Sequence, residues 1–204
     1  MSVNKILRIC FFVVWVLVSK ESCGGNFGGG DQVVSVSLFE QAKIQFWRAE
    51  MLYRGNGLFQ KDFRLAYENL IPVARQTVNW NVRARALCLL GEMYFFGHGV
   101  RKNFLSAQRY LTEGLQIQED LDSGKLGQSF FSPGFQDYIS RAQSRIDGVA
   151  RSNMVLSEIY SLGGDDVPQD MARSREYLKR VIDSERARSD EKMTALLLWL
   201  KKSK

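Results

Sequence analysis

Histidine, proline and cysteine are all scarce in this 204-residue chain, which holds one His, three Pro and three Cys. With His98 alone, no multi-histidine metal site, zinc deaminase centre or HExxH protease can be assembled. Cys10 and Cys23 fall in the N-terminal 24 residues, which do not belong to the folded part, so no disulfide framework is available. Cys88 lies in an apolar helical run and reads as a core thiol. There is no Walker loop, and Gly97-His98-Gly99 lacks the rest of a dinucleotide fingerprint. Strand-type alternation is confined to Val33–Val36, so a sheet has nothing to grow from. No Asn-x-Ser/Thr sequon occurs, which for an exported protein points towards a bacterial envelope.

What is present is an ordinary globular composition, 45% hydrophobic and 25% charged, in a length suited to one domain. Residues 1–24 stand apart. Lys5 and Arg8 open a basic region, Ile9–Val18 is an unbroken apolar stretch, and Ser22, Cys23 and Gly24 are small. That is the layout of a secretory signal peptide, with cleavage expected after Gly24. The apolar stretch is about half the roughly 20 residues that a membrane-spanning helix needs. A lipid anchor on Cys23 or an uncleaved N-terminus is the alternative, and either would tether the protein to a membrane or envelope. Residues 25–36, Gly-rich at their start, read as a flexible linker, and residues 37–204 as the folded part.

Removing Lys5, Arg8, Lys20 and Glu21 with the signal lowers the net charge from +6 to +4. Residues 171–204 carry ten Lys/Arg against five Asp/Glu. Such a basic end could meet an acidic partner or an anionic surface, although a solvated helix face is the simpler reading. Aromatics do not interleave with these basic residues, so nucleic acid is not expected as a partner.

Within the folded part, helical patterns alternate with Gly-rich turns, and the expected structure is all-α. Ser37 and Glu40 are spaced as a capping box that would start the first helix. Ala86, Leu90 and Tyr94 then share one helical face, with Gly91 small on the adjacent stripe, where a neighbouring helix can come close. Gly97 and Gly99 end that helix, Val100 comes next in the turn, and Asn103 caps the second helix, whose inward face is Ala107, Tyr110 and Leu111. The string returns 66 residues later as Leu156, Ser157, Tyr160, Gly163, Val167, Asp170, Ser174, Tyr177 and Leu178. An earlier copy lies 42 residues upstream as Leu52, Gly55, Gly57, Leu58, Asp62, Ala66 and Leu70, with Arg48 in the place of Leu90.

The spacing A-x-x-x-L-G-x-x-Y-x-x-G-x-G-V-x-x-N-x-x-x-A over residues 86–107 resembles a Sel1-like repeat, a relative of the tetratricopeptide repeats, and Val167-Pro-Gln-Asp170 is similar to the same family's turn. The resemblance covers residues 38–76, 82–118 and 150–184. It implies an all-α α/α solenoid of about three helix pairs that serves as a protein-interaction scaffold, often in secreted or envelope proteins; the residues themselves lead to no expectation of catalysis, cofactor or metal. Cysteine-rich members linked to β-lactams carry a Cys pair in each repeat, which Cys88 does not reproduce.

Between the second and third repeats, residues 119–134 read as loop. Ser132-Pro133 then starts an extra helix striped by Phe135, Ile139, Ala142 and Ile146. Glu50, Glu92 and Glu158 each come directly after the small residue of their repeat, as a recurring acid that either meets a ligand or is solvated; solvation is the simpler reading. His98, in an exposed turn, has no partner supplied by any motif. Asp165, Asp166 and Asp170 lack EF-hand spacing, and Asp170 is explained as a cap. The last helix, capped by Ser189, contains Ala195-Leu-Leu-Leu-Trp-Leu200, apolar all round. It is either buried against the third repeat, or Leu197, Leu198 or Trp199 forms a partner or self-association surface. An envelope hydrolase using Glu92 or His98 as acid is the competing class, and would need carboxylates that converge in one cleft.

Overall fold

The computed structural model describes residues 30–55, 60–126, 148–164 and 166–203. The chain divides into two units between Ser35 and Val36. The first is described only over residues 30–35, which are helical, and the second carries the repeats. The described residues form α1 (Gly30–Arg54), α2 (Phe63–Arg75), α3 (Trp80–Phe96), α4 (Phe104–Asp122), α5 (Gly148–Leu162), α6 (Met171–Asp183) and α7 (Ser189–Lys201). Among them there is no strand; a single antiparallel bridge joins Gly164 to Val167. The all-α expectation holds.

Three helix pairs, α1/α2, α3/α4 and α5/α6, are closed by one and the same turn. Gly55, Gly97 and Gly163 each end a first helix at φ between 65° and 75°, a left-handed conformation that a Cβ penalises. Seven or fewer residues on, Asp62, Asn103 and Asp170 cap the second helices. Each side chain accepts a hydrogen bond from the backbone N–H three residues ahead, at 2.8, 2.6 and 2.9 Å. Each cap's own N–H donates back to the first helix, to the carbonyls of Leu52, Tyr94 and Tyr160 at 3.0, 3.0 and 2.8 Å. Side-chain oxygen, backbone donor and glycine thus recur together at all three turns.

Packing repeats as well. Leu70, Leu111 and Leu178 are fully buried, and so are Ala66, Ala107 and Ser174 one turn before them. At the crossing of α3 and α4, a Cβ on Gly91 would lie 2.7 Å from Leu111 Cδ2 and 3.1 Å from the Ala107 carbonyl oxygen. This is the close approach that the sequence spacing predicts. Tyr94 stacks on Tyr110 with centroids 5.4 Å apart, and Tyr160 on Tyr177 at 5.7 Å. Leu90 and Leu156, which face the preceding repeat, are fully buried, whereas Arg48 in the first copy is exposed. One apolar cluster joins α1 to α4, a second joins α3 and α4 to α5, and a third holds α5, α6 and α7. Each pair therefore buries its neighbour's open side, as a solenoid requires.

Several boundaries differ from expectation. Residues 30–36, expected as linker, are helical, and α1 starts at Gly30, so Ser37 and Glu40 lie inside the helix instead of capping it. No Gly or Pro occurs from Asp31 to Arg54, so the helix has nothing to stop it there. Residues 119–122, expected as loop, are the last turn of α4, held by Leu121, which joins Ile117 in the first apolar cluster. The expected helix over 132–147, with Phe135, Ile139, Ala142 and Ile146, lies outside the described residues, as do Gly57, Leu58 and Asp165. Ser189 is the first residue of α7, and Arg188 precedes it as cap, its N–H donating to Glu191 Oε2 at 3.0 Å.

Candidate functional site

The three recurring acids are where sequence and structure part most. Glu50 and Glu92 are buried, only 6% and 5% exposed, and Glu158 is half-buried. A buried carboxylate must be paired or protonated, and each of these meets a cation from the next element of the stack. Glu50 on α1 meets Arg85 of α3 at 3.6 Å, as well as Arg54 of its own helix at 3.0 Å. Glu92 on α3 meets Arg151 Nε of α5 at 2.9 Å. Glu158 on α5 meets Lys202, just past α7, at 3.3 Å. An acid–cation rung therefore crosses every inter-repeat joint. The solvated reading is wrong for Glu50 and Glu92, because the acid lies on the side of the first helix that the next repeat covers.

Lys202 has a second task. Its Nζ donates to the hydroxyls of Ser157 and Ser174, at 3.2 and 3.1 Å, and those hydroxyls are 2.9 Å apart. Ser157 and Ser174 occupy the sites of Gly91 and Ala107, so the third pair is stitched by hydrogen bonds where the second relies on close contact.

Around Glu92 the joint becomes a network. Tyr53 of α1 sits close enough to Glu92 to favour its charged form, and its hydroxyl lies 3.1 Å from His98 Nδ1. Burial pushes the Glu92 carboxyl up to about 7, against the opposing pull of Arg151 and Arg54. Burial, followed by the Glu92 charge, pushes the Tyr53 phenol up to about 12. His98 stacks on Phe63 with centroids 4.4 Å apart and is half-buried. Burial, then Lys61 and Arg151, holds its pKa below the ordinary histidine value. The exposed, unpartnered histidine expected from sequence is instead a wedge between turn and helix.

Glu50, Arg54, Arg85, Cys88, Glu92 and Val149 line one small cleft. Two carboxylates do converge there, as the hydrolase reading demands. Arginines engage both, however, and the enclosed space is small, about 40 Å³, room for two or three waters.

The other predicted positions are mostly structural. Ala86 is fully buried in α3, Gly99 and Val100 lie in the first-to-second-helix turn of that pair, and Val167 is buried in the matching turn of the third. Asp170 caps α6 and also approaches Arg173 Nε at 3.4 Å. Among the described residues, no group of three His, Cys, Asp or Glu side chains is placed to hold a metal. On α7, Ala195 is fully buried, and Leu198 and Trp199 pack beside it on the α5–α6 cluster. Of the three residues suggested as an outward surface, only Leu197 is exposed. Sequence reasoning missed Arg85, Arg151, Tyr53 and Lys202. The first two were within reach, since they are separated by the same interval as Leu90 and Leu156.

Neither a curated protein nor a solved structure matches this chain. The Sel1 repeat model matches residues 37–76, 84–114 and 150–183, the same three pairs that share the glycine cap, the Asp/Asn cap and the recurring acid. The chain therefore belongs to the Sel1-repeat family.

Proposed function

We propose that the protein is an exported protein-interaction scaffold, its partner gripped by the repeat stack. The observation that carries this reading is the Sel1 match over three helix pairs, since such repeats mediate protein–protein contacts. The basic, apolar and small-residue segments of residues 1–24 support export, to a bacterial envelope or the outside. The buried rungs support a scaffold in a second way. They hold successive pairs in fixed relation, so that a partner meets a rigid surface and little ordering is lost on binding. The arginine-held carboxylates and the few-water cleft weigh against the hydrolase.

The test is to isolate the tagged chain from its host after mild crosslinking and to analyse the complex and the mature N-terminus by mass spectrometry. The expected result is an N-terminus at Gly25 in the exported fraction, together with one partner crosslinked repeatedly to the exposed turn lysines Lys61 and Lys102 or to Lys179 of α6. An intact Met1 in the cytosol would overturn export. Crosslinks scattered over many proteins, with no recurring site, would overturn the scaffold.

A further inference from the structure

We propose that α7 is a self-association surface, and that two copies of this chain pair through it as an antiparallel, two-fold-related helix pair. Met193, Leu196, Leu197 and Leu200 lie on the side of α7 away from the core and are 58, 38, 60 and 49% exposed. Their spacing of three, four and seven residues draws one stripe along the helix. The opposite side carries Ala195, Leu198 and Trp199 onto the third apolar cluster, and Lys202 onto Glu158. The stripe is therefore the face left over once α7 has docked.

The stack says what kind of body belongs there. α7 comes after α6, packs on α5 and α6, and supplies the cation to the acid of the preceding repeat. Those are the duties that α3 and α5 perform in their own repeats. In those repeats an antiparallel second helix then covers the first. α7 has no such helix after it among the described residues, and its outer face has kept the apolar character that a second helix would bury.

Charge names a second copy as the occupant, and antiparallel as the arrangement. Asp190 and Lys201 are about three turns apart, so they lie on the same flank of the stripe. A two-fold axis through the middle of the stripe, between Leu196 and Leu197, brings Leu196 beside the partner's Leu197 and Met193 beside the partner's Leu200. It also sets Asp190 within ~3 Å, along the axis, of the partner's Lys201, because the flank is preserved while the direction reverses. Both side chains are exposed, and Asp190 has Arg188 as a neighbour at 3.5 Å. Parallel pairing would instead leave Asp190 and the partner's Lys201 ~16 Å apart along the axis and on opposite flanks, so that this ion pair is lost. The pattern is self-complementary, as an isologous interface must be. A single helix pair falls at the small end of specific interfaces, below ~1,200 Å², so the dimer exchanges with monomer on dilution.

Sedimentation equilibrium across a range of concentrations tests this on the chain isolated from its host in the form the cell produces. The expected mass rises from one chain at low concentration to two at high concentration. Met193→Glu, Leu197→Glu and Leu200→Glu, each checked by circular dichroism, should each raise the dissociation constant at least tenfold; three single variants keep the test alive if one misfolds. Asp190→Lys should weaken the dimer, and adding Lys201→Asp should restore it. A wild-type chain that stays monomeric at several hundred micromolar overturns the proposal, and so does a dimer indifferent to all three glutamates. Flotation with vesicles containing phosphatidylglycerol separates the remaining occupant: a monomer that floats, and loses flotation in the same three variants, assigns the stripe to an anionic bilayer and overturns the dimer.

Discussion

Two helices of this protein carry nearly the same apolar string and meet opposite fates. In α3 the run Ala86-Leu-Cys-Leu-Leu90 is buried on every side. In α7 the run Ala195-Leu-Leu-Leu-Trp-Leu200 has only Ala195 buried, and Leu196, Leu197 and Leu200 face outward. Composition does not separate them, and neither does helix propensity. What separates them is the number of neighbours. Among the described residues, α3 has α1 and α2 before it, α4 beside it and α5 after it, whereas α7 has α5 and α6. In a solenoid, burial is therefore a property of position in the stack, and a helix read in isolation reveals only how much apolar surface it can offer.

The sharpest way to break the comparison is to empty the α3 core. Leu90 is fully buried between two repeats, and Leu90→Ala removes a methyl-rich side chain that neighbouring helices cannot easily collapse to replace. A loss of about 2–5 kcal/mol is expected, measured by urea unfolding. A loss under ~1 kcal/mol would show that the second pair relaxes freely and that the rungs, not the core, set the stack.

The next effect belongs to the rung at Glu92. Its pKa in the folded chain is about 7, above the ordinary 4.5. Between those values the folded state keeps a proton that the unfolded chain has released, so stability falls as pH rises through this window and levels off above it. The full difference amounts to at most about 3 kcal/mol. Glu92→Gln removes the titrating group, and its unfolding free energy should change correspondingly less between pH 4.5 and 8. An equal slope in both proteins would place the titration elsewhere.

Gly91→Leu comes third. Space for even a Cβ is missing against Leu111 and the Ala107 carbonyl, so α3 and α4 must separate, at a cost of about 1–3 kcal/mol. An unchanged melting temperature would mean that the crossing is looser than 2.7 Å implies.

Most of the fold was readable in the chain, and for a physical reason. Gly97, Asn103 and Ala107 perform local tasks, a left-handed cap, a side-chain cap and a close contact, and local tasks leave fixed residue types at fixed spacing. The site was less readable. Glu50 and Glu92 look like surface residues because nothing adjacent in sequence pairs Glu92, and the inter-repeat partners Arg85 and Arg151 lie on the next repeat's first helix. His98 is hidden for the same reason, since Tyr53 and Phe63 reach it from the preceding pair. The helical residues 30–36 and 119–122 were hidden differently. A Gly-rich start and an acidic stretch both look like coil until a buried residue such as Leu121 ties the second of them down.

The smallest expected effect is also the one that separates α7 from α3 most cleanly. Leu197 is 60% exposed, so in a dilute, monomeric sample Leu197→Ala gives up almost no buried area and should change unfolding stability by less than about 0.5 kcal/mol. The same truncation at Leu90 is expected to cost several times that. Raising the protein concentration should then change the comparison. If a second copy covers the stripe, the wild-type melting temperature climbs with concentration, because association stabilises only the folded state. Leu197→Ala should flatten that climb while leaving the dilute value in place. A concentration-independent difference between the two proteins would show instead that Leu197 packs within its own chain, and would move α7 to the same side of the comparison as α3.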